Sequence, residues 1–360
     1  MPGSAQNGGD NWRRKGAGSK GAGSAPRNQP RGARMSDVAK IAGVSAMTVS
    51  RALRDTKIVN LETLKRIQSA IEKVGYLPNR IATSLSLRRS NVVGQILPSL
   101  RDSLFVDTIQ GVADTLGNSY NLLIADSGYS LEGEEAAIEA FLSQKVCGLL
   151  LHNTDHTPRA RRMIKEAGVP CVETGNLIKQ PIDMAVGFSN YEAAFAMTEY
   201  LIGKGYRRIG FISLPIKDNE RAAKRREGYV RALQKHGRAV DKSIIMESQP
   251  GLRNGGLAFA HLVKSRKDLD AVFLTGDVLA VGAVLEAGRQ GWRIPKDVAI
   301  AGSDDNELQE NLLPTLTSIR FPRYEIGRHA ARLLLDRIET DATDSVIMDL
   351  GFKIMERQSA

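Results

Sequence analysis

Cysteine is scarce in this 360-residue chain: only Cys147 and Cys171 occur, each inside an apolar run. Two thiols cannot build a cysteine-rich zinc site or a disulfide scaffold, and they suit a reducing, cytoplasmic setting. A single bridge between two apolar strands stays open at this point. No apolar stretch reaches the roughly 18 residues needed to span a bilayer, so no membrane partner is expected. The N-terminus carries charge but no apolar core segment, and a secretory signal is not expected. A glycine-rich phosphate cradle, a zinc histidine pattern and a nucleophile elbow are all missing. The adjacent carboxylates Asp304 and Asp305 offer acid–base chemistry, yet no nucleophile or second acid stands at a recognisable spacing. No enzyme, cofactor or metal is therefore expected. What is present, 42% apolar and 25% charged residues, is ordinary for a globular protein and excludes wholesale disorder. The length points to two or three domains.

The net charge of +10 is unevenly spread. Residues 1–34 are rich in Gly, Ala, Ser, Asn, Pro and Arg, with almost no large apolar residue besides Trp12, and are expected to be a disordered basic tail. Seven basic residues there face the single acid Asp10. The tail reads as a solubilising segment, as the product of a start upstream of Met35, or as an arm lying on a polyanion. Residues 35–90 hold ten basic residues against four acids, whereas 91–360 hold 33 against 35. The positive charge thus belongs to one end of the chain.

Residues 35–76 show short helical patterns broken at Gly43 and around Asp55–Asn60. Val38, Ile41 and Ala42 make one apolar face, and Ala39 is small enough for a second helix to approach. Gly43 suits the positive φ of a tight turn, and Ser45 suits an N-cap. Val49, Ala52 and Leu53 then face inward, leaving Ala46, Met47, Ser50 and Arg51 outside. This pattern predicts a helix-turn-helix whose second helix enters the major groove of double-stranded DNA. Asn60 caps a third helix with Leu64, Ile67, Ile71 and Val74 as its stripe. A three-helix bundle without a DNA role has the same pattern; the local charge and turn chemistry favour the DNA reading. Ala46 and Met47 suit thymine methyls, and Arg51 suits a bidentate pair with guanine. Ser50 and Thr48 suit phosphate contacts or packing.

From residue 91, apolar β-branched runs alternate with amphipathic helices, with candidate strands from Val92–Leu97 to Thr317–Phe321. Continuous apolar strands separated by helices predict parallel βαβ sheets. The span is too long for one small sheet. Two doubly wound subdomains are expected, with a boundary near 190, a return near 320, and ligand binding at the carboxyl ends of the strands.

The runs Asp37-Val38-Ala39, Ala42-Gly43-Val44-Ser45 and Thr48-Val49-Ser50-Arg51 resemble the head of the lactose/galactose repressor family, LacI/GalR. The segment 75–85, from Gly75 to Leu85, resembles that family's hinge, so residues 77–90 are expected to be a hinge helix or linker. The resemblance implies that Asn79 begins the hinge helix, Ala82 lines the minor groove and Leu85 wedges into a base step, a role an apolar side chain can fill. Residues 91–360 would form a periplasmic-binding-protein-like effector and dimerisation domain. Within the family the likeness is to the gluconate-operon repressors, carried by Leu97-Pro98-Ser99-Leu100, His156-Thr157-Pro158-Arg159, Asp183–Phe188 and Met348–Phe352.

The same likeness implies an effector between the subdomains, with Phe105 as an apolar wall, Arg225 as the basic contact and Asp304 accepting from hydroxyls. His152 and His156, at the crevice edge, and Asp277 are further candidate contacts. Two departures bear on the ligand. Gly276-Asp277 replaces the family's frequent Asn-Asp, and the loop 249–256 has no stacking aromatic. An arginine fork suits a carboxylate or phosphate, so a gluconate-like sugar acid or its phosphate is the expected effector. One helix-turn-helix reads too few base pairs alone, and little chain follows Phe352, so a homodimer on a pseudopalindromic operator is expected. A cytoplasmic, nucleoid-associated repressor of sugar or sugar-acid catabolism genes fits these features. A sugar transport protein would share the two-lobed fold without residues 35–90.

Overall fold

Helix α1 (Met35–Ala42) stops at Gly43, whose φ of 64° lies in the left-handed region. Helix α2 (Ala46–Arg54) follows, its first turn closed by Ser45 Oγ accepting from the Thr48 N–H at 3.1 Å. Helix α3 (Leu61–Val74) starts the same way, with Asn60 Oδ1 accepting from the Thr63 N–H at 2.8 Å. Val38, Ala39, Ala42, Val49, Ala52, Ile67, Ala70 and Tyr76 form the buried core. Arg66 on α3 pins the turn, donating from Nε to the Ala42 carbonyl at 3.0 Å.

Ile41 and Leu53, expected inside, are 51% and 37% exposed. The helices meet along Val38–Ala42 and Val49–Ala52. Ile41 and Leu53 each lie one residue off that stripe, about 100° around the axis. The folded unit also begins slightly earlier than expected. Arg34 is the residue before α1, its N–H donating to Asp37 Oδ2 at 2.8 Å, and Ala33 packs on the core.

The computed structural model describes residues 33–54, 58–76, 90–100, 103–340 and 343–360. The chain divides into two compact units at Thr83 and Ser84. Residues 1–32 and the hinge positions Asn79, Ala82 and Leu85 lie outside the described residues.

The second unit holds two six-stranded sheets. Its elements run β1 (Val92–Leu97), α4 (Val106–Leu116), β2 (Asn121–Asp126), α5 (Leu131–Ser143), β3 (Gly148–Leu151), α6 (Pro158–Ala167), β4 (Cys171–Thr174), β5 (Met184–Gly187) and α7 (Asn190–Gly203). They continue with β6 (Ile209–Ser213), α8 (Glu220–Lys235), β7 (Ile245–Glu247), α9 (Leu252–Ser265), β8 (Ala271–Thr275), α10 (Asp277–Gln290), β9 (Ala299–Ser303), α11 (Glu307–Glu310), β10 (Thr317–Arg320), α12 (Arg323–Glu339), β11 (Ile347–Asp349) and β12 (Lys353–Met355). The orders are β11-β5-β4-β3-β1-β2 and β12-β10-β9-β8-β6-β7. The pairings are parallel except β10 with β12. Strands such as β3 and β8 are buried along their whole length, which is why they read as unbroken apolar runs.

The chain passes between the subdomains three times. It leaves the first sheet after β5, returns between β10 and α12, then goes from β11 in the first sheet to β12 in the second. The third passage was not anticipated, and neither were β7, β11 and β12, each only three residues long. The stretch read as a loop at 249–256 holds the start of α9 at Leu252. Cys147 and Cys171 are buried thiols with no bridge between them. No helix among the described residues is long and apolar enough to cross a membrane.

Candidate functional site

Helix α2 presents Ala46, Met47 and Arg51 to solvent, Met47 at 65% exposure. Ser50 is half-buried beside them. Ser45 and Thr48 are engaged with each other, their hydroxyls 2.9 Å apart, so they build the helix start rather than its open face. An apolar pair beside an exposed guanidinium is a surface suited to base edges in a major groove.

In the second unit, a crevice of about 730 Å³, counting its solvent-open mouth, lies at the carboxyl ends of the strands of both sheets. This is where doubly wound sheets bind ligands, because successive loops diverge there. Phe105, His152, Arg225, Asp277 and Asp304 all line it. Phe105 is buried and meets the His152 ring edge-on at 4.7 Å. Gly175 adopts φ +88°, and a Cβ there would lie 2.7 Å from His152 Nε2, so only glycine leaves the imidazole its place.

Arg221 and Arg323 join Arg225 in the lining, so three guanidinium groups meet the two carboxylates of Asp277 and Asp304. Arg323 bonds Asp304 Oδ1 at 2.5 Å and the Asp304 carbonyl at 2.6 Å. Arg225 stands 3.7 Å from the same carboxylate oxygen and donates to Asn190 Oδ1 at 2.8 Å. Burial lowers the Arg225 pKa although Asp304 opposes it. Burial pushes the Asp304 carboxyl up, but Arg225 and Arg323 outweigh it and hold it below its ordinary value. His152 is driven well below its usual range, first by burial and then by Arg221, Arg323 and Arg225, and stands neutral. Asp277, at the start of α10, accepts from Asn306 Nδ2 at 3.0 Å. The result is a cationic, largely apolar-walled site with a neutral imidazole. It can pair with an anion and hydrogen-bond to hydroxyls.

Residues 34–79 match the family described as bacterial regulatory proteins, lacI family, and residues 198–360 match the periplasmic binding protein-like domain. The HTH-type transcriptional regulator GntR of Escherichia coli strain K12 is 36% identical over 89% of this chain and 96% of its own length. The regulator of the same name from Pseudomonas aeruginosa is 36% identical over 90% and 95%. The crystal structure of a transcriptional regulator of the family from Silicibacter pomeroyi superposes with a TM-score of 0.82 at 31% identity, covering 91% of this chain and 99% of that one. The chain belongs to the lacI family of bacterial regulatory proteins.

This lacI-family member is accordingly a DNA-binding transcriptional regulator that takes a small-molecule effector, and not an enzyme. One expected effector contact needs correcting. His156 does not line the crevice of the regulator. Its fully buried ring lies between Glu134 Oε2 at 2.9 Å and Glu173 Oε1 at 3.1 Å. Burial lowers its pKa, but the two glutamates overcome this and raise it to about 9. The following Thr157-Pro158 is a helix start, with Thr157 Oγ1 accepting from the Ala160 N–H at 3.0 Å and Pro158 in the first turn of α6. The motif at 156–158 therefore anchors a loop.

Arg323, which lines the lacI-family crevice, was not foreseen, and neither was the fully buried Asn190, which holds Arg225 from behind it. Nothing local distinguishes Arg323, whose partner Asp304 reaches it only through the passage between subdomains. Arg221 was not singled out either, though helical spacing could have found it. It precedes Arg225 by four residues and shares its helix face, while Lys224 and Arg226 point outward with side chains 50% and 37% exposed.

Proposed function

We propose that this regulator represses sugar-acid catabolism genes and is gated by an anionic, acyclic sugar acid, gluconate or its 6-phosphate. The observation that carries the reading is the grouping of Arg221, Arg225 and Arg323 in one crevice against two carboxylates. The absence of an aromatic platform at Gln249–Arg253 and the likeness to gluconate-operon repressors favour a flexible ligand over a flat sugar ring. Calorimetric titration with gluconate, 6-phosphogluconate and glucose tests it. Binding of an aldonate with glucose excluded is expected; silence from both acids rejects the reading.

The reading assigns operator contacts to Ala46, Met47, Ser50 and Arg51 in the major groove, with Ser45 and Thr48 setting the helix start. Asn79, Ala82 and Leu85 would form the minor-groove hinge, and two copies would read a pseudopalindrome from the cytoplasmic nucleoid. Arg51→Ala is expected to cost about 1–3 kcal/mol of specific affinity and relax preference at one base pair per half-site, read by gel shift against single-base operator variants. Leu85→Ser should weaken operator binding sharply and leave effector binding intact; unchanged operator binding would overturn the hinge assignment. The subdomain angle favoured by the effector would set the spacing of the two hinges.

A further inference from the structure

The pair Glu220-Arg221, at the first turn of α8, reaches out of its own subdomain to the loop after β3 in the other. Arg221 Nη1 donates to Asn153 Oδ1 at 2.7 Å and to the His152 carbonyl at 3.1 Å. Glu220 Oε1 accepts from the Thr154 N–H at 3.3 Å and holds Arg221 Nη1 at 3.1 Å. Both side chains are 8% exposed, so these bonds lie largely out of water, where they are stronger. The Arg323–Asp304 pair also joins the two subdomains, but it sits beside the chain passage between Arg320 and Arg323, where the covalent chain already holds them. Residues 152–154 and 220–221 are far in sequence from every passage. Separation of the subdomains would break their bonds.

The loop can transmit that pull. Its far end is fixed in the first subdomain by His156 between Glu134 and Glu173, and by Thr157 capping α6. Arg221 also lines the crevice, and among the described residues no hydrogen bond reaches its Nε or Nη2. One edge of the guanidinium thus closes the molecule while another remains for a bound anion.

We propose that Arg221 is a positioning residue that couples anion binding to subdomain closure, latching onto the loop at Asn153 with one edge and receiving the effector's anionic group with the other. The effector half of this statement rests on the reading above; the latch half does not. Closure is then partly made before ligand arrives, and the apparent affinity reflects the closed fraction.

The test uses the full chain. Asn153→Leu removes the acceptor without touching any guanidinium, Asn153→Ala is the milder form, and Asn153→Asp restores an acceptor. Small-angle scattering without ligand should show a larger radius of gyration for the leucine and alanine variants than for the wild type or the aspartate variant. Gluconate dissociation constants should rise about tenfold in the first two, the loss of a charge-assisted hydrogen bond. Arg221→Lys should both expand the ligand-free protein and weaken gluconate more than Asn153→Ala does. Unchanged scattering in Asn153→Leu, Asn153→Ala and Arg221→Lys overturns the latch. If the scattering differences appear but no aldonate binds the wild type, the latch stands and the effector reading falls.

Discussion

The His156→Leu variant is expected to lose about 3–5 kcal/mol of stability in the effector-binding unit, the cost of stranding buried charges. Glu134 and Glu173 are both fully buried, and among the described residues Glu134 Oε1 has no hydrogen-bond partner even in the intact protein. Leucine fills the space but donates nothing, so two carboxylates remain in an apolar interior. Replacing the carboxylates as well, with Glu134→Gln and Glu173→Gln in the same chain, should recover most of the loss. Glu173 also accepts the Ile182 N–H, which a glutamine oxygen can still do. Urea unfolding followed by circular dichroism measures this; a single variant as stable as the wild type would show that the ion cluster does not hold the loop.

The same cluster gives a direction with pH. His156 has a folded pKa of about 9 against an ordinary 6.5. Its contribution is complete below pH 6.5 and is lost as pH rises through 9, an effect on the order of 3 kcal/mol. Wild-type stability should therefore fall across that window, and the His156→Leu variant should lack the fall.

The sequence already carried the architecture, because parallel strands buried on both faces leave long apolar runs that nothing else mimics. The exceptions follow the same physics. Strands β7, β11 and β12 are edge strands of three residues with half-exposed side chains, too short and too polar to stand out. Caps and turns were legible at Ser45, Asn60 and Gly43 because each is a local hydrogen-bond or dihedral requirement. The crevice was only half legible. The family resemblance located Phe105, Asp277 and Asp304, and position at the end of a strand located His152, since strand ends must face the crevice. The same rule misplaced His156, because whether a loop residue turns inward depends on carboxylates that α5 and β4 bring from elsewhere. Arg323 depended likewise on a partner in the other sheet.

Arg225→Met is expected to weaken an anionic effector by about 2–5 kcal/mol, a factor of roughly thirty or more. The buried guanidinium is the group whose charge is least spoken for. Arg323 already holds Asp304 at 2.5 Å, while Arg225 stands 3.7 Å from it and is fixed through Nε by Asn190. Methionine keeps the apolar stem against Phe321, over whose ring the guanidinium lies 5.5 Å from the centroid. Asn190 keeps its own bonds to the Gly175 carbonyl and Asn176 Oδ1. The fold should therefore survive and the loss should appear as affinity. Lys224→Met and Arg226→Met, on the exposed faces of the same helix, should change gluconate binding by less than about twofold, as solvated charges do. This contrast separates a site from a basic helix. If all three variants weaken binding alike, the effector senses the general field of α8 and not a built contact. If none does, Arg225 is a structural partner of Asn190 and the anion site lies elsewhere.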